Sequence, residues 1–224
     1  MDKVRFINIK ETILSDNRDL AEQIRADLRQ NGVFMLNIMA SPGAGKTSLI
    51  LEALRRMKKN YRFAVIEGDI ESQVDSDKVA AEEVEAVQLR TGGSCHLDAP
   101  MVKEALGTLN LAEIDAVFIE NIGNLVCPAE FDLGETRKVM VLSVPEGDDK
   151  VIKYPLMFSV CDLLVVSKID YLQGSDFDMQ SLTENARKLN PKMKIIQTSC
   201  KTEEGLDDWC NWLKTEIDAA AGRR

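Results

Sequence analysis

Lys46 and Thr47 are the residues whose types and spacing most directly imply chemistry. They close the stretch Ala40-Ser41-Pro42-Gly43-Ala44-Gly45-Lys46-Thr47, which lies between an apolar run, Phe34 to Met39, and a helix-like segment, Thr47 to Met57. Small residues in such a loop let backbone N–H groups turn inward around phosphate oxygens at a helix N-terminus. The lysine then reaches the β- and γ-phosphates, and the following hydroxyl holds Mg²⁺. Gly43, Ala44, Gly45, Lys46, Thr47 and Ser48 are the candidate phosphate-binding set. The pattern departs at Ala40, where glycine is usual, and alanine tolerates positive φ less well. A Gly-rich strand–turn–helix connection without a ligand is the plain alternative.

Acidic residues follow two further strand-like runs. Phe63 to Glu67 leads into Gly68-Asp69-Ile70-Glu71-Ser72-Gln73-Val74-Asp75. Carboxylates just after a parallel strand sit on the same sheet edge as the phosphate loop, so Asp69 and Asp75 are candidates for Mg²⁺ contact, and Asp75 for positioning the attacking water. Surface solvation is the alternative for each. Ile114 to Glu120 ends in Glu120-Asn121-Ile122-Gly123, which resembles the γ-phosphate-sensing turn of P-loop GTPases. Glu120 is a second candidate for Mg²⁺, and the Gly123 amide a candidate for the γ-phosphate. Lys46, Asp75 and Glu120 make up the expected catalytic set.

Base choice is read further along. Ser167-Lys168-Ile169-Asp170 and Ser199-Cys200-Lys201 resemble the two guanine-recognition motifs of GTPases, each with one substitution. A carboxylate at Asp170 accepts from both N1–H and the exocyclic amine of guanine, whereas adenine presents it with a lone pair. Lys168 can lay its aliphatic stem over the base. Ser167 in place of asparagine is expected to lose a supporting hydrogen bond. Cys95, His96 and Cys127 form a separate constellation, on two loops at the same sheet edge. Thiolate and imidazole suit Zn²⁺ or Ni²⁺. The spacing is not the CxxC of a zinc ribbon, so core thiols stand as the rival. Cys161, Cys200 and Cys210 lie in or beside apolar segments and read as structural.

The elements that must position these residues alternate strand and helix, which predicts an α/β fold: a mostly parallel sheet flanked by helices. Arg5 to Ile9 reads as a short strand, and Asp16 or Asn17 as the cap of a helix from Arg18 to Gln30 that Gly32 stops. Pro145 to Pro155 is too polar for core and reads as a connecting loop. The chain is expected to be one domain over residues 1–224, with an N-terminal helical extension at about 16–31. It has 224 residues and a net charge of −9, which disfavours nucleic acid as a partner. With no apolar stretch of spanning length, no membrane association is expected, and the location is expected to be cytoplasmic. Histidine occurs once, so any N/S metal site uses His96 or no imidazole.

Three long motifs add a family resemblance. Thr91-Gly92 to Cys95-His96-Leu97-Asp98-Ala99, Glu120 to Ala129, and Glu146-Gly147-Asp148-Asp149-Lys150 with Lys153-Tyr154-Pro155 closely resemble the hydrogenase nickel-incorporation GTPases, the HypB family. The resemblance runs from about Asn17 to Leu213. It implies a P-loop NTPase fold of the SIMIBI type, binding and slow hydrolysis of GTP with Mg²⁺, and a GTP-dependent homodimer. It further implies Ni²⁺ or Zn²⁺ at Cys95, His96 and Cys127, delivery of nickel to the [NiFe]-hydrogenase large-subunit precursor, and a small nickel chaperone, HypA, as partner. Met1 to Asp16 lacks the cysteines or histidines of the N-terminal nickel motif that some members have. The alternatives are a related nickel GTPase of urease maturation, a cobalamin-enzyme chaperone, a P-loop small-molecule kinase, and a metal-binding interaction module.

Overall fold

The computed structural model describes residues 9–69 and 82–222. Seven strands form one all-parallel sheet in the order β3-β2-β4-β1-β5-β6-β7. They are β1 Phe34–Ala40, β2 Phe63–Asp69, β3 Glu85–Arg90, β4 Ala116–Glu120, β5 Arg137–Ser143, β6 Leu163–Ser167 and β7 Lys194–Gln197. Strands β1, β4 and β6 are buried along their whole length, as near-continuous apolar runs in the middle of a parallel sheet should be. From β1 the chain moves outward through β2 and β3. It returns as β4 on one side of β1 and leaves again as β5 on the other. The loops leaving β1 and β4 therefore meet where the direction of winding reverses, which is where parallel sheets bind ligands.

Helices cover both faces: α1 Ile9–Asn31, α2 Lys46–Met57, α3 Ala99–Leu106, α4 Cys127–Glu130, α5 Lys150–Lys153, α6 Pro155–Val160, α7 Met179–Leu189 and α8 Leu206–Ala220. Alternating side chains of β1 serve the two layers. Phe34, Leu36 and Ile38 pack with Leu49, Leu54 and Trp209 of α2 and α8. Met35 packs with Ile24 and Leu28 of α1 and Val102 of α3 on the other face.

The sequence reading needs correction in three places. Residues 5–8 lie outside the described residues, and Ile9 begins α1 instead of ending a strand. Asp16 and Asn17 lie inside α1 and cap nothing. Buried Asn17 instead donates to the Asp132 carbonyl (2.7 Å) and accepts from the Ala99 amide (2.8 Å), so a polar residue mid-helix ties α1 to two loops. The polar stretch from Pro145 to Pro155 contains helical turns, with α5 inside it and α6 beginning at Pro155. Proline at the first helical position was the available signal there.

Candidate functional site: a nucleotide cleft beside a thiol–imidazole cluster

The phosphate loop closes as its sequence requires. Gly43 and Gly45 adopt φ of 75° and 101°, where a Cβ is strained, and α2 starts directly at Lys46. Ala40 costs nothing, because it is the last residue of β1 and keeps ordinary negative φ. The half-buried Thr47–Glu120 contact spans the loop and the end of β4, with Thr47 Oγ1 donating to Glu120 Oε1 at 2.8 Å. Lys46 and Glu120 are each 8% exposed, so both charges face a restricted cleft and not open water. Gly123 lies hard against the phosphate loop: a Cβ there would stand 2.8 Å from Pro42 Cγ and 2.9 Å from Pro42 N. Any other residue would push the β4 turn off the loop.

The cleft has two contiguous parts. One, of about 520 Å³, is lined by Lys46, Thr47, Glu67, Glu120 and Gly123 among others. The other, of about 340 Å³, is lined by Ser48, Asp170, Tyr171, Cys200 and Lys201. Lys168 belongs to both parts, and its Nζ donates to the Gly43 carbonyl at 2.8 Å. Its backbone is left-handed (φ 57°), an arrangement of about 1–2 kcal/mol for a non-glycine residue that nothing in the sequence announces. Ser167 corrects the expectation of a lost hydrogen bond: its Oγ donates to the Ala44 carbonyl at 2.6 Å and ties the base side to the phosphate loop. Ser199 Oγ donates to Asp170 Oδ1 at 2.7 Å and fixes the plane of that carboxylate. Burial pushes the Cys200 thiol up to about 11, so it meets the cleft as a neutral thiol.

Cys95, His96 and Cys127 converge, with one ligand atom of each lying within 4.8 Å of the others. Cys95 Sγ is 3.1 Å from Cys127 Sγ and 3.9 Å from His96 Nδ1. Two residues that the spacing did not point to support them. Asn124 accepts from the Val126 amide and donates to the Cys95 carbonyl (3.2 Å), clamping the two ligand loops together. Phe131 stacks on the His96 ring at 3.9 Å between centroids and fixes its plane. Burial lowers the His96 pKa against the pull of Asp98 and Glu130, which favours the neutral imidazole that a metal needs. Two thiols and an imidazole are a soft donor set that fits a late divalent cation, and three donors leave a coordination position open. Cys161, at the C-terminal end of α6, is buried in the core and takes no part. The Asp69 side chain and the whole of Asp75 lie outside the described residues.

Comparison with known proteins decides the family. The CobW/HypB/UreG nucleotide-binding domain matches residues 34–197. The hydrogenase maturation factor HypB of Escherichia coli K12 is 44% identical over 216 residues, 96% of this chain and 74% of that protein. The chain belongs to the HypB family of hydrogenase maturation factors. Its fold matches the crystal structure of Helicobacter pylori HypB in complex with nickel, with a TM-score of 0.86 at 38% identity over 91% of this chain and 96% of that one. Archaeoglobus fulgidus HypB gives 0.85 at 37% identity, covering 91% of this chain and all of that one. A P-loop NTPase fold is thus common to this chain and the HypB structures. Among the described residues no helix is long and apolar enough to cross a membrane.

Proposed function

We propose that this chain binds GTP in the two-part cleft, hydrolyses it slowly to GDP and phosphate, and uses the nucleotide state to govern a nickel ion held by Cys95, His96 and Cys127. One observation carries the reading. The segment leaving β4 presents Gly123 to the phosphate loop and, four residues on, Cys127 to the thiol–imidazole cluster. A shift of that segment on loss of the γ-phosphate therefore reaches a metal ligand directly.

The backbone of Gly43 to Gly45 and Lys46 would hold the β- and γ-phosphates, and Asp170, oriented by Ser199, would read guanine. Lys201, Nζ 3.9 Å from Asp170 Oδ2, adds positive charge at the rim of that pocket. Thr47 and Glu120 are the oxygen donors that fit Mg²⁺, which would supply charge neutralisation as the phosphate leaves. Asp75 is the candidate for orienting the attacking water. Among the described residues, no arginine lines either part of the cleft, consistent with slow hydrolysis in the isolated chain. Cys95, His96 and Cys127 would receive the cargo metal, nickel or zinc, and a second copy of the chain in the GTP state would complete the open coordination position. Delivery would be to the [NiFe]-hydrogenase large-subunit precursor in the cytoplasm, with HypA as the nickel-handling partner.

The test is Ni²⁺ and Zn²⁺ affinity in GDP and in a non-hydrolysable GTP analogue, with mass by light scattering and Cys95→Ala as control. The expected result is a dimer in the analogue and a nucleotide-dependent metal affinity that disappears in Cys95→Ala. Metal binding that ignores nucleotide and survives Cys95→Ala overturns the metallochaperone reading. A preference for ATP with phosphate transfer to a metabolite would instead make the chain a small-molecule kinase.

A further inference from the structure

Asn121 lies between Glu120 and the turn that carries Gly123, and its residue surface is 1% exposed. Its Oδ1 accepts two backbone amides: Ile122 N at 2.9 Å, inside the turn, and Leu97 N at 3.4 Å, in the residue after His96. Nδ2 donates to Asn37 Oδ1 at 3.1 Å, and Asn37 Nδ2 donates to Glu135 Oε1 at 3.0 Å. Two N–H donors facing one side of the amide and an acceptor facing the other fix which end is oxygen. Asn37 lies on β1, whose Ile38 carbonyl also accepts the Asn121 amide at 3.0 Å, so the side chain is anchored to the strand that feeds the phosphate loop.

Leu97 is fully buried and confined on a second side. A Cβ on Gly68 would stand 2.9 Å from both its Cγ and Cδ1, so Leu97 rests on the end of β2 one residue before Asp69. The residue following a metal ligand is thus wedged between the ends of β2 and β4, the two strands whose termini carry the candidate magnesium and phosphate residues.

We propose that Asn121 is the positioning residue through which nucleotide state and metal geometry act on each other, because one carboxamide oxygen registers both the γ-phosphate turn and the loop bearing Cys95 and His96. The proposal rests on the nucleotide-gated reading above. The bond to Leu97 is near the upper limit of hydrogen-bond length while the bond to Ile122 is not, so a displacement of the turn by a few tenths of an ångström makes or breaks the first before the second. Because the Leu97 amide is buried, that change is felt at His96 and not absorbed by water. By reciprocity, metal binding that fixes the Cys95–His96 loop must alter nucleotide affinity by the same factor.

The test compares Ni²⁺ affinity of the full chain in GDP and in a non-hydrolysable GTP analogue, together with the nickel–thiolate charge-transfer spectrum in each. Wild type is expected to show an affinity ratio of about 5–150-fold, the ordinary range of allosteric coupling, and two distinct spectra. In Asn121→Ala nickel still binds through its three ligands, but the ratio falls to within about twofold of one and the two spectra coincide. Asn121→Asp keeps the oxygen that accepts both backbone amides but replaces the donor to Asn37 with a second acceptor, so its ratio is expected to lie between those of Asn121→Ala and wild type. A wild-type ratio above one that survives Asn121→Ala overturns the proposal alone. A wild-type ratio of one removes the gating reading and this proposal with it. If Asn121→Ala does not fold, Asn37→Leu removes the acceptor for Asn121 Nδ2 and must lower the ratio. A wild-type ratio there overturns the proposal.

Discussion

The nucleotide cleft and the thiol–imidazole cluster share one edge of the sheet, yet they are built in opposite ways. In the cleft, protein groups already satisfy one another: Thr47 with Glu120, Ser167 with Ala44, Lys168 with Gly43, and Ser199 with Asp170. Three of those contacts cross between chain segments more than seventy residues apart, so the cleft is rigid because the fold is. The cluster draws Cys95 and His96 from one loop and Cys127 from the start of the four-residue α4, with Cys95 exposed and support from Asn121, Asn124 and Phe131. A preorganised site favours tight and specific binding, while a loosely framed one with an open position suits a ligand that must leave again. The comparison predicts that, with each ligand tested in the absence of the other, cleft variants change nucleotide affinity and cluster variants change metal affinity.

The largest effect is expected from Lys46→Ala. Removing a buried cation that faces phosphate should weaken GTP by about 100- to 1,000-fold, on the scale of losing one partner of a buried ion pair, and abolish measurable hydrolysis. Nucleotide titration and phosphate release measure both. Zinc affinity in the absence of nucleotide should be unchanged. A joint loss of metal would mean that the two regions fold as one site.

Cys127→Ala tests the other half. Removal of a ligand should lower Ni²⁺ affinity by more than about 100-fold, since even outer-shell partners are worth 10- to 100-fold. GDP affinity should be retained. Cys200→Ala, by contrast, should leave metal affinity alone, because that thiol is neutral and lines the base pocket.

Smaller changes are expected inside the base pocket. Asp170→Asn replaces an acceptor with an amide and should cost GTP about 10- to 100-fold. The same substitution offers a donor to the 2-oxo group of xanthine, so xanthosine triphosphate should gain relative to GTP in competition binding. Ser167→Ala removes one neutral hydrogen bond to the Ala44 carbonyl and should weaken GDP by about fivefold. An unchanged affinity would mean that Ser167 does not tie the base side to the phosphate loop.

The sequence made some of this architecture plain and concealed the rest, for physical reasons. The five inner strands were legible because a parallel sheet buried on both faces demands apolar runs, the half-exposed edge strands β3 and β7 because short runs alternate with helical segments, and the phosphate loop because its backbone demands glycine at fixed offsets. The start of α1 was misplaced because Asp16 and Asn17 look like caps, and only the tertiary partners Ala99 and Asp132 show why a polar residue sits mid-helix. Four-residue helices such as α4 and α5 are too short to display a period. Cys95, His96 and Cys127 were legible as residue types. Asn121, Asn124 and Phe131 were not, because an asparagine that bridges two backbone loops has no spacing rule.

The smallest predicted effect concerns the buried polar chain beneath the cleft. Glu135 is fully enclosed: burial raises its pKa, against the opposing influence of Lys138 and Asn37. Burial also works against ionisation of Asp132, but hydrogen bonds from Glu135, the Gly134 amide and Arg25 outweigh it and lower that pKa. The pair is therefore best described with the proton on Glu135 and the charge on Asp132, which faces Arg25 at 2.7 Å. A carboxyl whose folded pKa is raised binds a proton more tightly in the native state than in the unfolded one. Its contribution is present below the unfolded value of about 4.3 and declines as pH rises toward the folded value. Asp132, with a lowered folded pKa, gives the opposite slope below pH 4. Glu135→Gln keeps the shape and a neutral side chain, so it should flatten the decline above pH 4.3 while leaving the slope below pH 4, as read from urea midpoints across the pH range. A profile that keeps its decline above pH 4.3 in Glu135→Gln would place the proton on Asp132 instead. The contrast between rigid cleft and loose cluster would then need another anchor for Asn37.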